Sequence, residues 1–104
     1  MDINVQIHGR SARISAVGRF DFKVHRDFQD AYKPLLDNPA LREIEIEMDK
    51  LVYIDSSALG MLLQLDERAR AVNKTIALLN TSGTVSKMLD VANFSKLFNI
   101  RHTD

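Results

Sequence analysis

The segment Tyr53-Ile54-Asp55-Ser56-Ser57-Ala58-Leu59-Gly60 marks the point where a strand-like pattern changes into a helical one. Ahead of it, apolar residues at 44, 46 and 48 alternate with glutamates at 43, 45 and 47, which predicts a strand with one face in water. After Ser57, apolar residues recur at steps of four and three, which predicts a helix. Those helical positions are Ala58, Leu62, Leu65, Ala69 and Val72. The segment is therefore predicted to be a strand-to-helix junction.

The part of the chain before this junction contains two further alternating runs, at 3–7 and 12–16, separated by Gly9-Arg10. Two such runs across a short glycine-containing turn predict a β-hairpin. The run Gly18-Arg19-Phe20-Asp21 is expected to form the turn after the second strand. Apolar residues at helical spacing over 24–36 then predict a helix, and Asp21 occupies the place of its N-cap.

The part after the junction repeats the alternation of strand and helix. Residues 75–79 are apolar and β-prone, and Thr81-Ser82-Gly83 leads into a third helix. Phe94, Leu97, Phe98 and Ile100 are expected to complete the core with a short last strand. The predicted order is β-β-α-β-α-β-α-β. It indicates one α/β domain over 1–104, with a mixed sheet and helices packed on it.

The composition excludes several classes of function. Lys+Arg and Asp+Glu number 14 each, and no cationic run supplies the surface that a nucleic-acid binder needs. Cysteine is absent, which excludes disulfides and thiolate metal sites. The three histidines, at 8, 25 and 102, do not have metal-ligand spacing. Neither a metal nor another cofactor is expected.

The N-terminal stretch Met1–Arg10 alternates apolar and polar residues without a continuous hydrophobic run. It therefore resembles neither a signal peptide nor a membrane-spanning segment. A cytoplasmic protein without membrane insertion is expected.

Two interpretations of the junction remain open on local physics. Asp and Ser are preferred N-caps, so Asp55 or Ser56 can serve simply to begin the helix. Alternatively, the free N–H groups and partial positive charge of a helix N-terminus favour a phosphate, and a hydroxyl held there can carry a dianion at modest cost.

The helix that follows presents an unusual outer face. Ser56, Gly60, Leu63 and Glu67 follow steps of four, three and four on the side opposite the apolar stripe, and we call these four residues the Ser56 ridge. Glycine inside a helix costs about 1 kcal/mol relative to alanine. A bare backbone beside an outward leucine favours close approach by a partner, although scattered surface leucines are common.

With these motifs the chain resembles the STAS domain, in particular the stand-alone bacterial anti-sigma factor antagonists. The resemblance is carried by Asp55-Ser56-Ser57-Ala58-Leu59-Gly60, by Gly18-Arg19-Phe20-Asp21, and by the tail with Gly83 to Val85, Met88-Leu89 and Leu97 to Ile100. It covers essentially the whole chain. One departure is Ala58, which stands where many members have glycine.

The resemblance implies a switch controlled by phosphorylation. Ser56 is the implied phosphoacceptor, and Asp21, Asp55 and Ser57 surround it. The implied partner contacts are Ala58, Leu59, Gly60, Leu63 and Glu67. Such proteins bind an anti-sigma factor, often a serine kinase, while unphosphorylated. Phosphorylation by that kinase releases the complex, and a metal-dependent serine phosphatase reverses the modification.

Two other functions are weighed against this one. The first is a STAS subunit that docks, unphosphorylated, on a larger assembly such as a transporter ATPase or a stress-signalling complex. The second is an enzyme with Ser56 or Ser57 as nucleophile. Local spacing places no His or Lys as a paired base near these serines, so enzymatic activity is not expected.

Overall fold

The computed structural model describes residues 1–103 and contains one five-stranded sheet with three α-helices. The strands are β1 (Asp2–His8), β2 (Ser11–Phe20), β3 (Glu43–Ile54), β4 (Thr75–Leu79) and β5 (Asn99–Arg101). The helices are α1 (His25–Leu36), α2 (Ser56–Ala71) and α3 (Gly83–Val91), with 3-10 turns at Phe22–Val24 and Phe94–Lys96. The predicted order of strands and helices is confirmed.

The sheet has the spatial order β1-β2-β3-β4-β5 and is mixed. β1 and β2 form an antiparallel hairpin, whereas β2, β3, β4 and β5 are mutually parallel neighbours. Each parallel step is made through one helix, and each step moves in the same direction across the sheet. Because such crossovers are right-handed, all three helices come to lie on the same face of the sheet.

The burial of the central strands reflects this one-sided packing. Ile14, Ile46 and Leu78 are fully buried on the helix-covered face of β2, β3 and β4. From α1, Phe28 and Tyr32 pack on the same core, and the Phe28 ring centroid lies 5.3 Å from that of Tyr32. Phe20, at the end of β2, completes this aromatic group at 5.0 Å from Phe28.

The opposite face of the sheet carries polar side chains on β2 and β3, whereas on β4 it carries the buried Ala77 and Leu79. Arg13 on β2 lies opposite Glu45 on β3, and their side chains form an ion pair at 3.3 Å. Arg101 on β5 forms an ion pair with Glu43 at 2.7 Å, and the interaction with this carboxylate raises the pKa of Arg101 above its ordinary value. The glutamates of β3 thus lie on the face opposite the helices, as their alternation predicts, but they are half-buried, and Glu43 and Glu45 are paired with arginines rather than open to water.

Three local expectations were wrong. Val72, predicted on the apolar stripe of the second helix, is 44% exposed because α2 ends at Ala71. Gly18-Arg19-Phe20 is the last part of β2 rather than a turn, because the register between β2 and β3 shifts at Gly18 and the strand continues beyond a bulge. The φ angle of +102° at Gly18 requires glycine at that bulge. Leu97 is 44% exposed, because the 3-10 turn before it directs Phe94 and Phe98 into the core instead.

None of the helices formed by residues 1–103 is both long enough and apolar enough to cross a membrane.

Candidate functional site

The two aspartates of the predicted site lie at the same end of the sheet. β2 and β3 are parallel, and Phe20 is the register partner of Ile54. Asp21 and Asp55 therefore follow two neighbouring strands, at the end of the sheet that is formed by the carboxyl ends of these strands. The backbone N–H of Asp55 donates to the Phe20 carbonyl at 3.4 Å, which holds the two segments together.

Asp55 is the N-cap of α2. Its backbone is extended, and its carboxylate Oδ1 accepts a hydrogen bond from the backbone N–H of Ala58 at 3.0 Å. The cap therefore belongs to Asp55, one of the two residues that local physics left open. Ser56 and Ser57 become the first two residues of the helix, and both are exposed. The hydroxyl of Ser56 is thus presented at the helix N-terminus without having to cap it.

Asp21 was expected to be the N-cap of the first helix, but α1 begins at His25 with Val24 at its N-cap position, and Asp21 instead caps the 3-10 turn before it. Its carboxylate Oδ1 accepts from the backbone N–H of Lys23 at 3.0 Å and so begins the 3-10 turn that leads into α1. The cation nearest to it is Arg19, whose Nε lies 4.0 Å from Asp21 Oδ2. The Arg19 guanidinium also stacks over the Tyr53 ring, 4.2 Å from its centroid. A positive charge therefore stands among the acidic residues of the junction, which sequence reasoning did not anticipate.

The Ser56 ridge lies on the surface, as helical spacing predicts. Ser56, Gly60 and Glu67 are exposed, and Leu63 keeps 41% of its surface accessible. A methyl group built on Gly60 meets nothing within 4 Å, so the space above this residue is open. The ridge consequently offers a strip of bare backbone with one apolar side chain beside it.

The structure corrects the expected role of Ala58. Its side chain is 0% exposed and belongs to the hydrophobic core, so it is not available to contact a partner. The reason is helical geometry, because Ala58 lies on the same stripe as the fully buried Leu62 and Leu65. Leu59 is half-buried and packs against that core, leaving only part of its surface to a partner.

One surface residue of this region was not singled out from the sequence. Phe22 follows Asp21 directly and is 66% exposed, an unusual state for a large aromatic side chain. A signal was present, because Phe22 lies outside the helical stripe that starts at Val24. Because Phe22 follows Asp21, its apolar ring lies at the same end of the sheet as Ser56.

Comparison with known proteins places the chain among its relatives. Residues 3–100 match the family model described as "Mlab, STAS domain". The STAS-domain containing protein PA14_20770 of Pseudomonas aeruginosa (strain UCBPP-PA14) is 44% identical over 92 residues, which are 88% of this chain and 89% of that protein.

Solved structures of the same fold have much lower sequence identity. The phosphorylated form of SpoIIAA, a Bacillus cell fate determinant, superposes with a TM-score of 0.78 at 18% identity, covering 99% of this chain and 92% of that one. A murine anion transporter, solute carrier 26 family member A9, matches with a TM-score of 0.72 at 14% identity, over 83% of this chain and 14% of the transporter. These likenesses concern the fold. The family model and the Pseudomonas relative establish that the chain belongs to the STAS domain family.

Proposed function

We propose that this chain is an anti-sigma factor antagonist that binds an anti-sigma factor with serine kinase activity and is released when that kinase phosphorylates Ser56. The observation that carries the proposal is the position of Ser56, exposed as the first residue of α2 and at the head of the Ser56 ridge. The chain acts in this proposal as a binding protein without catalytic activity or cofactor.

The helix face distinguishes Ser56 from Ser57. Four residues after Ser57 comes Met61, which is buried, so the face headed by Ser57 turns into the protein. Four residues after Ser56 comes the exposed Gly60, followed by Leu63. A phosphate on Ser56 therefore adjoins the surface that a partner would cover. A phosphate on Ser57 would not, because the helix face that continues from Ser57 is buried at Met61.

The helix N-terminus lowers the cost of holding a phosphate in the free protein. Backbone N–H groups and the positive end of the helix favour a dianion at the first helical residue. Phosphorylation adds about −1.5 to −2 charges and three acceptor oxygens at this point. The unbound form thus accommodates phosphoserine in place, with the helix intact.

In the complex, by contrast, a phosphate on Ser56 is unfavourable. A partner that covers Gly60 and Leu63 must strip water from the phosphate, beside the carboxylates of Asp21 and Asp55. Only Arg19 is paired with either carboxylate among residues 1–103, and it already shares its charge with Asp21. An unpaired dianion at an interface costs several kcal/mol. Each loss of about 1.4 kcal/mol weakens binding tenfold, so release needs no change of shape.

The proposed partners follow from this scheme. They are the anti-sigma factor that carries the serine kinase, and a serine phosphatase that restores the hydroxyl. The neutral net charge of the chain gives no reason to add a nucleic acid to them. Membrane insertion is not part of the proposal, and the setting it requires is the cytoplasm.

The decisive experiment is an intact-mass measurement on the chain isolated from its native cells with phosphatase inhibitors present. We expect a phosphorylated fraction in the wild type and in Ser57→Ala, and none in Ser56→Ala. Phosphate retained by Ser56→Ala would contradict the assignment. Wild-type protein from cells without the kinase should carry no phosphate and should bind the separately purified anti-sigma factor fully.

A second candidate function is supported by the anion transporter that contains a domain of this fold. In that case the chain docks through the same ridge on a larger assembly, such as a transporter ATPase, and remains unphosphorylated. One variant distinguishes the two functions. Ser56→Asp abolishes binding under the first and leaves it nearly unchanged under the second, while Leu63→Asp abolishes it under both.

A further inference from the structure

A second surface, separate from the Ser56 ridge, lies at the opposite border of the helix layer. β1 is an edge strand, and within residues 1–103 it pairs only with β2. α1 contacts β1 on one side and α2 on the other, so it separates this edge from the ridge. β1 runs for seven residues without a proline, a bulge or a lysine, the usual features that protect a sheet edge.

A groove of about 430 Å³ runs between β1 and α1. Its apolar lining includes Ile3 and Val5 from β1 and Ala31 from α1. Ile3 and Ala31 also pack against the core, which gives the groove a firm base. Val5 remains 37% exposed, and Ile7 continues the same row of the strand into solvent. The groove thus joins an open backbone edge to apolar surface.

The rim of this groove is acidic. Asp2, Asp27 and Asp30 line it, and no Lys, Arg or His within residues 1–103 forms an ion pair with any of them. By contrast, Asp66 and Asp21 elsewhere on the chain each have an arginine partner. Asp27 also lies in the first turn of α1, where a carboxylate stabilises the helix, but Asp30 has no such role.

We propose that the β1 edge and this groove bind an extended segment of a partner protein that carries apolar and Lys or Arg side chains on one face. Such a segment adds a sixth strand beside β1 through main-chain hydrogen bonds. Its apolar side chains cover Val5 and Ile3. Its long cationic side chains lay their stems over the groove and bring their charges to Asp27 and Asp30.

The charge of the rim also argues against a second copy of this chain as the occupant. Two copies paired edge to edge through β1 bring their α1 helices side by side on the same face of the joined sheet. Asp27 and Asp30 of one copy then approach those of the other, and like charges across an interface are unfavourable. A cationic segment has the complementary charge.

The test uses the full-length chain, labelled with nitrogen-15, and three synthetic peptides followed by two-dimensional NMR at low salt. The first is Lys-Thr-Val-Thr-Lys-Thr-Val-Thr-Lys, which places Lys and Val on one face of a strand. In the second, Glu replaces Lys, and in the third, Ser replaces Val. We expect saturable shifts in β1 and α1 with the first peptide and at least about tenfold weaker binding of the other two.

Matched variants separate this site from general charge attraction. Asp27→Asn with Asp30→Asn should weaken the first peptide about fivefold. Asp49→Asn with Asp90→Asn removes two exposed carboxylates that do not line the groove, and it should leave affinity unchanged. The proposal is overturned if both pairs weaken binding equally, if the shifts lie outside β1 and α1, or if sedimentation shows self-association that Val5→Lys abolishes. Ser56→Asp should leave peptide binding intact, so failure here is distinct from failure of the phosphorylation switch.

Discussion

The carboxylate of Asp55 accepts a hydrogen bond from the backbone N–H of Ala58 at 3.0 Å, and this bond caps the helix that begins at Ser56. It makes Asp55 the N-cap of α2, while helical geometry places Ala58 in the core. It also leaves Ser56 between them with an exposed side chain at the first helical position. Structural and regulatory roles are therefore divided between adjacent residues.

Asp55→Ala is expected to lower the free energy of unfolding by about 1 kcal/mol, because it removes an N-cap. For a domain of this size that corresponds to a fall of about 5 °C in Tm. Asp55→Ser, which restores a capping oxygen, should recover most of the loss. The measurement is urea unfolding followed by circular dichroism. Asp49→Ala, an exposed residue without a capping bond, serves as the control, and an equal loss there would refute the capping role.

Gly60→Ala is expected to separate stability from binding. Gly60 is helical with open space above it, so alanine enters without a clash and stabilises α2 by about 1 kcal/mol. If a partner approaches the bare backbone there, the added methyl group weakens the complex at the same time. Thermal unfolding and calorimetric titration with the partner check the two effects. If the variant is more stable and binds as well as the wild type, Gly60 is not part of the interface.

The sequence predicted the strands, the helices and the strand-to-helix junction because their signals are local. Alternation in β3 and the four-three spacing in α2 each depend on a few neighbouring residues, and both indicate the junction at Asp55. The exposed face of Ser56, Gly60, Leu63 and Glu67 follows from helical geometry alone.

The features that it did not predict depend on residues distant in sequence. The bulge at Gly18 arises from register with β3, which no local pattern encodes. Arg19 meets Tyr53 only because β2 and β3 are neighbours. The position of Phe22 outside the helical stripe was a local signal, but its 66% exposure also depends on Phe20, Phe28 and Tyr32, which form the aromatic core without it.

Tyr32→Phe is expected to be neutral or stabilising by up to about 1 kcal/mol. The Tyr32 ring is buried against Phe28, but its hydroxyl is buried without a hydrogen-bond partner among residues 1–103. An unpaired buried hydroxyl costs free energy that phenylalanine does not incur. Urea unfolding measures the difference. A loss of stability above about 1 kcal/mol would mean that the hydroxyl has a partner, such as a buried water.

Phe22→Ala is expected to reduce partner binding at least about tenfold, because an exposed aromatic side chain beside a binding site commonly acts as an anchor. Stability should change little, since most of the ring is already in water. Calorimetric titration gives the affinity, and thermal unfolding gives the stability. If Phe22→Ala binds with full affinity, Phe22 is not part of the interface.

Leu63→Asp provides the sharpest test of the Ser56 ridge, because the chain offers a matched control. Leu63 and Leu97 are 41% and 44% exposed, so an aspartate at either position meets a similar balance of water and protein. Leu63 lies on the ridge, whereas Leu97 lies near β5, at the C-terminal end of α2, where the Arg70 side chain donates to its carbonyl. We expect Leu63→Asp to abolish partner binding and Leu97→Asp to leave it within about twofold, with similar small losses of stability. Equal effects on binding would show that the partner does not dock on the ridge.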